Sequence, residues 1–144
     1  MSVEKNIQIM RRWFQEVWNE GRMETVFELF AEDGVAIGQS EQGGSLRGPK
    51  DFAGFVERIR GAFPDIKIKI EDAFGANDQV ALRWSAIMTH TGEQLGRAPS
   101  NREVRISGIT ITRMRDGRIV EGWDNWDQLG LMKQIGAPEK ERVA

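Results

Sequence analysis

The sequence predicts an α+β fold, in which helices from the first half of the chain cover one face of an antiparallel sheet formed by the second half. Up to residue 62, apolar residues recur at three- and four-residue spacing, which is typical of amphipathic helices. After the tripeptide Phe63-Pro64-Asp65 they alternate with polar residues, which is typical of strands with one buried face. A strong hairpin signal, Asp116-Gly117, follows within this alternating region.

Three helices are predicted in the first half, near residues 3–20, 22–31 and 49–62. Gly21 ends the first and Gly34 closes the second, whereas a proline suits the first turn of the third. We expect their apolar stripes to form the core. These stripes are Ile7, Met10, Phe14 and Val17 in the first helix, Val26, Phe27, Leu29 and Phe30 in the second, and Phe52, Phe55, Val56 and Ile59 in the third.

Four strands and a short final helix are predicted in the second half, with the sheet running from residue 65 onward. The first strand alternates isoleucine and lysine from Ile66, and the second is QVALRWSAIMTH. The hairpin signal joins the third, EVRISGITITRMR, to the fourth, RIVEGWDNW. The final helix is QLGLMKQIG, where apolar residues from Leu129 follow helical spacing. The stretch GQSEQGGSLRG, before the third helix, is predicted to be a loop.

Length and composition limit the classes of function. A chain of 144 residues, 40% hydrophobic and 29% charged, predicts one soluble globular domain over residues 1–144. The formal net charge of −2 gives no electrostatic reason to expect a nucleic-acid partner. The N-terminal residues lack the apolar run of a signal peptide and nothing downstream is long enough to span a bilayer, so we expect a cytoplasmic protein without a membrane partner.

The inventory of reactive side chains is short. The chain has no cysteine, which excludes disulfides, thiolate metal ligands and cysteine nucleophiles. His90 is the single histidine, which argues against a histidine-rich metal centre. We therefore expect no metal site.

Two carboxylates stand three residues apart in EGWDNWDQLGLMKQIG, near the C-terminal end. Asp127 directly precedes the final helix, a position where aspartate caps exposed amide groups, so we predict a structural role for it. Asp124 lies in the fourth strand and remains the candidate for chemistry.

The turn between the last two strands decides which residues share a face with Asp124. We predict a three-residue loop, residues 115–117, which places Met114 opposite Arg118. A two-residue turn would shift the pairing by one and scatter the apolar residues over both faces. The three-residue loop places Ile109, Ile111, Ile119 and Trp123 on one face, and Thr110, Thr112, Val120, Gly122 and Asp124 on the other.

The blocks FPDIKIKIED, DQVALRWSAIMTHTGE and GITITRMRDGRIVEGWDNWDQLGLMKQIG resemble successive parts of SnoaL-like polyketide cyclases, often called ester cyclases. The resemblance covers residues 18–136, and its last block is the most specific. It implies the nuclear transport factor 2-like cone, in which a strongly curved antiparallel sheet wraps against three helices around a deep apolar pocket. It also implies a homodimer or higher homo-oligomer, built through the outer face of the sheet.

The same resemblance implies a chemistry. Such cyclases close a ring of a polyketide ester by intramolecular aldol condensation, without a metal or organic cofactor, and an aspartate on the last strand is their acid/base. The matching position here is Asp124. Relatives carry a histidine at the position of Thr110, and a histidine and a proline where this chain has VAIGQSEQGG. A threonine donates a hydrogen bond but cannot hold a proton at neutral pH.

Other residues are candidates for the same site. His90 ends the second strand, where it can reach the pocket mouth, and its near-neutral pKa suits acid/base catalysis. Arg83 would bind Asp124 or a substrate carbonyl if it faced inward. Strict alternation with Trp84 would instead place it outward, where it would stabilise a partner subunit, and the sequence leaves both placements open. We expect a small apolar or aromatic ligand. The candidate substrate-binding residues are Arg83, Trp13, Trp84, Met88, Thr110 and Trp126.

Two classes of function remain open. One is a cyclase-like enzyme that acts on an apolar carbonyl compound with Asp124 as acid/base, and the other is a non-catalytic carrier of a small hydrophobic molecule. A hydrolase or isomerase on the same fold is a third alternative. Water activation would need a second inward carboxylate or an arginine–aspartate pair. Ser85 rather than an aspartate stands two residues after Arg83, which disfavours a hydrolase. The apolar face with Ile109 predicts at least a dimer.

Overall fold

The computed structural model describes residues 2–39 and 44–136 and confirms the α+β class. Its helices are α1 (Val3–Trp13) with a π-helical continuation (Phe14–Asn19), α2 (Met23–Leu29), α3 (Gly48–Ala62) and α4 (Gln128–Gln134). Its strands are β1 (Phe30–Ile37), β2 (Ser45–Arg47), β3 (Lys67–Ala76), β4 (Gln79–Thr89), β5 (Glu103–Arg115) and β6 (Arg118–Trp126). None of the helices in this part of the chain combines the length and apolar character needed to span a bilayer.

The predicted extent of the first helix is confirmed, but its geometry changes from α-helical to π-helical after Trp13. The Ser2 side chain accepts a hydrogen bond from the Lys5 amide and caps α1, which continues without a break into the π-helical segment. The Asn19 side chain ends this segment, accepting from the Ile68 amide at 2.7 Å and donating to the Ile68 carbonyl at 3.0 Å. These two hydrogen bonds fix the helix end against β3.

The second helix is shorter than predicted, because a strand begins where its last turn was expected. Phe30 is the first residue of β1, and Gly34 lies within that strand instead of closing a helix. The prediction that Phe27 faces the core is also wrong, since its side chain is 52% exposed. The polar residues Glu32 and Asp33 interrupt the alternation of β1, which explains why the sequence pattern did not show a strand.

The predicted loop before the third helix also contains a strand. Residues 45–47 form β2, which pairs antiparallel with β1, while residues 40–43 of the predicted loop lie outside the described residues. The third helix is confirmed. Proline occupies its first turn, and the Arg47 amide just before it donates to the Asp51 carboxylate at 3.0 Å.

The six strands form one sheet in the order β2-β1-β6-β5-β4-β3. All neighbouring pairs are antiparallel except β1 and β6, which are parallel. The expectation of a purely antiparallel sheet that starts at residue 65 is therefore wrong at one edge. We call the buried side of this sheet, which packs on the helices, its inner face, and the opposite side its outer face.

The turn between β5 and β6 differs from the predicted one, but most side chains of the two strands lie on the predicted faces. Asp116 and Gly117 both have positive φ, 52° and 78°, and Arg115 pairs with Arg118, so the loop has two residues. The register then shifts at Val120, where a β-bulge adds one residue to β6.

The bulge reverses the effect of the shorter turn on the facing of side chains. Beyond it Thr110 pairs with Asp124 on the inner face and Ile111 pairs with Trp123 on the outer face, as predicted. Ile119 precedes the bulge and is the exception. It was predicted on the face of Ile111, but it is 2% exposed and lies on the inner face.

Asp127 is the N-cap of α4, as predicted. Its carboxylate accepts a hydrogen bond from the Gly130 amide at 2.8 Å. The helix then buries Leu131 and directs Leu129 outward, so the apolar face is rotated from the predicted one.

Replacing Asp127 with alanine should lower the free energy of unfolding by about 1 kcal/mol, because the amide loses its cap. Urea denaturation measures this difference, and the variant Asp127→Ser, which keeps a capping oxygen, is the matched control. Equal stability of the alanine and serine variants would contradict the assigned role.

Candidate active site

A cavity lies between the inner face of the sheet and the helices. Of the 24 described residues that line it, nine are aromatic and only four carry polar side chains, so its walls suit a flat apolar ligand. The four polar residues come from three neighbouring segments: β5, β6 and the residues that follow β1. They are Gln39, Thr110, Thr112 and Asp124.

Asp124 is the one ionisable side chain among the described lining residues. The Thr110 hydroxyl donates to its Oδ1 atom, and the Gln39 side chain forms a second hydrogen bond with the carboxylate. Burial raises the pKa of Asp124 to about 6, although the two hydrogen bonds oppose that rise by stabilising the charged form. A carboxyl group with this pKa changes its protonation state near neutral pH.

Thr110 is held in turn by a tryptophan on the next strand. The Trp84 indole Nε1–H donates to the Thr110 hydroxyl oxygen at 2.9 Å, within the buried interior. Trp84, Thr110 and Asp124 therefore form a chain of hydrogen bonds across β4, β5 and β6.

Gln39 reaches Asp124 because the chain bends sharply after β1. Gly38 has a φ of 91°, and a Cβ atom there would lie 2.1 Å from the Asp124 carbonyl oxygen, so only glycine fits this approach. The Trp126 indole N–H donates to the Gly38 and Gln39 carbonyl oxygens at 3.1 and 3.0 Å. A second donor, the Gln128 side chain, contacts the Gly38 carbonyl at 3.3 Å.

Two polar atoms on the cavity wall have no protein partner among the described residues. They are Gln39 Oε1 and Thr112 Oγ1, both on side chains that are almost fully buried. Gly122, opposite Thr112 on β6, leaves open space, because a Cβ atom there would approach nothing closer than 3.9 Å. This part of the wall can therefore accept and donate hydrogen bonds to a ligand.

The structure brings most of the predicted site residues to the cavity. Asp124 lies on its wall, and so do five of the six candidate substrate-binding residues, namely Trp13, Trp84, Met88, Thr110 and Trp126. Three of these have a further role in the packing of the site, since Thr110 and the indoles of Trp84 and Trp126 hold polar groups in place.

Arg83 is the sixth candidate, and of its two open placements the inward one is wrong. It is exposed on the outer face, where its guanidinium pairs with the Asp72 carboxylate at 2.8 Å. Strict alternation along β4 puts Trp84 inside and Arg83 outside, so Arg83 cannot contact Asp124 across the sheet.

The placement of His90 at the pocket mouth is also wrong. Its side chain is fully buried and does not line the cavity, but packs on Phe63, which does, with ring centroids 5.4 Å apart. His90 Nδ1 accepts a hydrogen bond from the Ser100 amide at 3.0 Å, so the ring proton of the neutral form sits on Nε2. Burial and the charge of Arg97 lower the pKa of His90. This environment fits a structural histidine that closes the loop after β4.

Sequence reasoning missed Gln39, which contacts the carboxylate directly. The one available signal was the Gly-Gln pair that follows an apolar stretch, because a glycine inside a strand pattern often marks a close backbone approach. Across residues 2–39 and 44–136, no three carboxylate or imidazole groups come together in an arrangement that could hold a metal ion.

The fold and the site define a class of protein: an α+β cone with the Asp124 carboxylate on the wall of an aromatic cavity. A sequence model of the family described as SnoaL-like polyketide cyclase matches residues 8–135. The chain belongs to this family.

Two curated relatives from Streptomyces are similar over most of the chain. The aklanonic acid methyl ester cyclase DauD of Streptomyces sp. (strain C5) is 29% identical over 133 residues, covering 92% of this chain and 82% of DauD. The aklanonic acid methyl ester cyclase DnrD of Streptomyces peucetius is also 29% identical, covering 92% of this chain and 91% of DnrD.

Solved structures share the fold. A SnoaL-like protein from Jannaschia sp. CCS1 superposes with a TM-score of 0.84 at 23% identity, covering 94% of each chain. IdmH from Streptomyces antibioticus superposes with a TM-score of 0.76 at 30% identity, covering 92% of this chain and 99% of IdmH. The nuclear transport factor 2-like cone predicted from the sequence is confirmed.

The raised pKa of Asp124 has a consequence for stability. The pKa of aspartate is about 4 in an unfolded chain, so between about pH 4 and 6 the native state binds more protons than the unfolded state. The contribution of Asp124 to stability therefore decreases as pH rises through this window and remains unfavourable above it.

Asp124→Asn should consequently stabilise the protein by about 1 to 3 kcal/mol at pH 7.5, and this gain should disappear near pH 4. The amide can keep the hydrogen bond from Thr110, and Gln39 can reverse its own amide to pair with it. Thermal unfolding at both pH values measures the difference. Asp127→Asn removes an equal charge outside the cavity and is the control. A gain that is independent of pH would contradict the assigned burial of the charge.

Proposed function

We propose that this protein catalyses an intramolecular aldol cyclisation of an apolar carbonyl compound, with Asp124 as acid and base and without a cofactor. The observation that carries the proposal is that Asp124, the single carboxylate among the described residues of an aromatic cavity wall, is held by two hydrogen bonds and has a pKa of about 6. A general base works best when its pKa lies near the operating pH.

The first step is removal of a proton from a carbon that lies between two carbonyl groups. Such a carbon is acidic enough for a buried carboxylate to deprotonate, because two carbonyls share the charge of the resulting enolate. Above pH 6 Asp124 is mostly ionised and ready to accept this proton. The side chains of Gln39 and Thr110 hold the carboxylate in one orientation for the transfer.

The second step forms the ring. The enolate carbon attacks a ketone carbon of the same molecule, a carbon–carbon bond forms, and the ketone oxygen becomes an alkoxide. The protonated Asp124 returns its proton to that alkoxide, which regenerates the carboxylate. No electron donor or acceptor is needed, because the reaction is an isomerisation of the substrate.

The aromatic walls contribute by holding the substrate in a folded conformation. Oriented intramolecular reactions gain on the order of 7 kcal/mol or more relative to freely moving reactants. The unpartnered Gln39 Oε1 and Thr112 Oγ1 atoms offer hydrogen bonds at the polar end of the cavity. The ligand that fits this distribution is a flat apolar molecule with its oxygen atoms along one edge. The aklanonic acid methyl ester named for DauD and DnrD is a reasonable test substrate.

With that substrate, kcat/KM of the wild-type protein should rise about tenfold per pH unit below pH 6 and become constant above it, because Asp124 must be ionised to act as base. Asp124→Asn should lose about 10²- to 10⁴-fold in rate, since an amide cannot accept the proton. Absorbance assays of ring closure from pH 4.5 to 8.5 measure both effects.

Substrate binding by Asp124→Asn distinguishes an enzyme from a non-catalytic carrier. An enzyme should keep substrate affinity in this variant while it loses turnover. If the wild-type protein binds the ester, quenching its tryptophan fluorescence, yet does not convert it at any pH, the carrier function would replace the proposed one for this substrate.

We also infer that the protein forms a homodimer through the outer face of its sheet. An apolar row crosses five strands there, because Phe74, Ala81, Ile111, Trp123 and Ile37 stand opposite one another in successive strand pairs. Three of these side chains are exposed, among them Phe74 at 66%. Ion pairs flank the row on both sides, Arg83 with Asp72 and Arg113 with Glu121. This pattern of an apolar centre and a charged rim is typical of a subunit interface.

Light scattering at micromolar concentration should give the mass of a dimer for the wild-type protein and a monomer for Ile111→Lys, which places a charge at the centre of the row. Phe27→Lys is the control, since Phe27 is an exposed apolar residue on α2, outside the sheet. A wild-type monomer, or an equal effect of both variants, would contradict the proposed interface.

A further inference from the structure

The chain of hydrogen bonds from Trp84 to Asp124 has a fixed direction. An indole N–H is only a donor, so the Thr110 oxygen must accept from Trp84. The single hydrogen of the Thr110 hydroxyl is then left for Asp124 Oδ1. Both Trp84 and Thr110 are buried, which makes any alternative that leaves one of these groups unpaired costly.

This direction affects where the acid proton can reside. If Asp124 carried a proton on Oδ1, that proton would compete with the Thr110 hydrogen for the same space, and the Thr110 hydrogen has no other acceptor among the hydrogen bonds of the described residues. Protonation at Oδ2 leaves the chain intact. Gln39 also donates to the carboxylate, but its amide can turn so that Oε1 accepts a proton on Oδ2. The geometry therefore favours Oδ2 as the oxygen that exchanges protons.

We propose that Trp84 is a positioning residue for Asp124: acting through Thr110, it keeps Oδ1 as a hydrogen-bond acceptor and reserves Oδ2 for proton exchange. The inference rests on the proposed function only in taking Asp124 as the acid/base. It also accounts for a threonine at position 110, because a hydroxyl can accept from an indole and donate to a carboxylate at the same time.

The indole is held firmly in the position that this role requires. A Cβ atom on Gly108 would lie 2.5 Å from Trp84 Cζ2 and 2.8 Å from Trp126 Cβ, so the absence of a side chain at residue 108 makes room for the indole. Phe14 also packs on the indole, with the ring centroids of Phe14 and Trp84 6.4 Å apart. The Trp84 N–H therefore has little freedom to turn away from Thr110.

Titration of Asp124 can report on this chain, because no other charge faces it within the described cavity wall. The neighbouring strand β5 presents Thr110 and Thr112, and the segment after β1 presents Gln39. Strand β4 presents Trp84, and the helices present only apolar residues such as Trp13. A change in the Asp124 midpoint thus reflects its hydrogen bonds and its burial.

Trp84→Phe should raise the titration midpoint of Asp124 by about half a pH unit from its wild-type value. Without the indole N–H, the Thr110 hydroxyl can rotate and accept a hydrogen bond from a protonated Oδ1. This hydrogen bond stabilises the protonated carboxyl group. Carboxyl ¹³C NMR of aspartate-labelled protein measures the midpoint without substrate. The acid limb of the kcat/KM profile should shift in the same direction.

A double-mutant comparison separates this role from a change in packing. Thr110→Val should also raise the midpoint, and adding Trp84→Phe to Thr110→Val should then cause no further shift, because the chain is already broken. Thr110→Ser keeps the hydroxyl and should retain the wild-type midpoint. An equal shift from Trp84→Phe in both backgrounds, or no shift in the wild-type background, would overturn the proposal.

A second measurement applies even if Trp84→Phe does not fold. In the wild-type protein the ¹H–¹⁵N resonance of the Trp84 indole should move with the same midpoint as Asp124, and in Thr110→Val it should not. An indole resonance that is unaffected by Asp124 titration overturns the proposal. None of these NMR titrations requires turnover. An Asp124→Asn variant with full activity would therefore refute the proposed function without affecting the conclusion that Trp84 acts on Asp124 through Thr110.

Discussion

The site depends on the burial of one carboxylate. Apolar walls around Asp124 raise its pKa to about 6. Without hydrogen bonds to the charged form, the same environment would keep the carboxyl group protonated or turned toward solvent. Two donors, Thr110 and Gln39, limit the rise and fix the carboxylate in place. The resulting pKa is a balance between desolvation and two hydrogen bonds, and it places the group where both protonation states are accessible near neutral pH.

Each of the two donors is itself supported by an aromatic side chain and a glycine. Trp84 holds Thr110, and the indole fits because residue 108 has no side chain. The Trp126 indole donates to the Gly38 and Gln39 carbonyl groups at the bend that brings Gln39 to the carboxylate. This bend can approach β6 closely because residue 38 has no side chain. Indoles suit this role in an oily cavity, since they bury a large apolar surface and still donate one hydrogen bond.

The sequence was most informative where a single periodicity governs a segment. The long helices, strands β3 to β6 and the cap at Asp127 follow from spacing and local chemistry. Strand β1 could not be predicted in this way, because Glu32 and Asp33 interrupt its alternation and its partner β6 is about ninety residues away in the sequence. The faces of the last hairpin were predicted from a wrong turn, and they agree beyond residue 120 because a bulge that no local pattern announces restores the parity. His90 shows the limit for sites: residue type suggested chemistry, but tertiary packing decided what the side chain contacts. Arg83 lies outward, as the alternation of β4 requires.

The spacing of the two aspartates follows from where β6 ends. Alternation along the strand puts Asp124 and Trp126 on the cavity wall, so one segment supplies both the carboxylate and the indole that positions Gln39. The next residue, Asp127, leaves the sheet and caps α4, which turns the chain back so that Leu131 covers the cavity. A shift of one residue in this segment would take Asp124 off the cavity wall and move Asp127 away from the cap position. The same three-residue interval therefore couples the chemistry of the site to the closure of its wall.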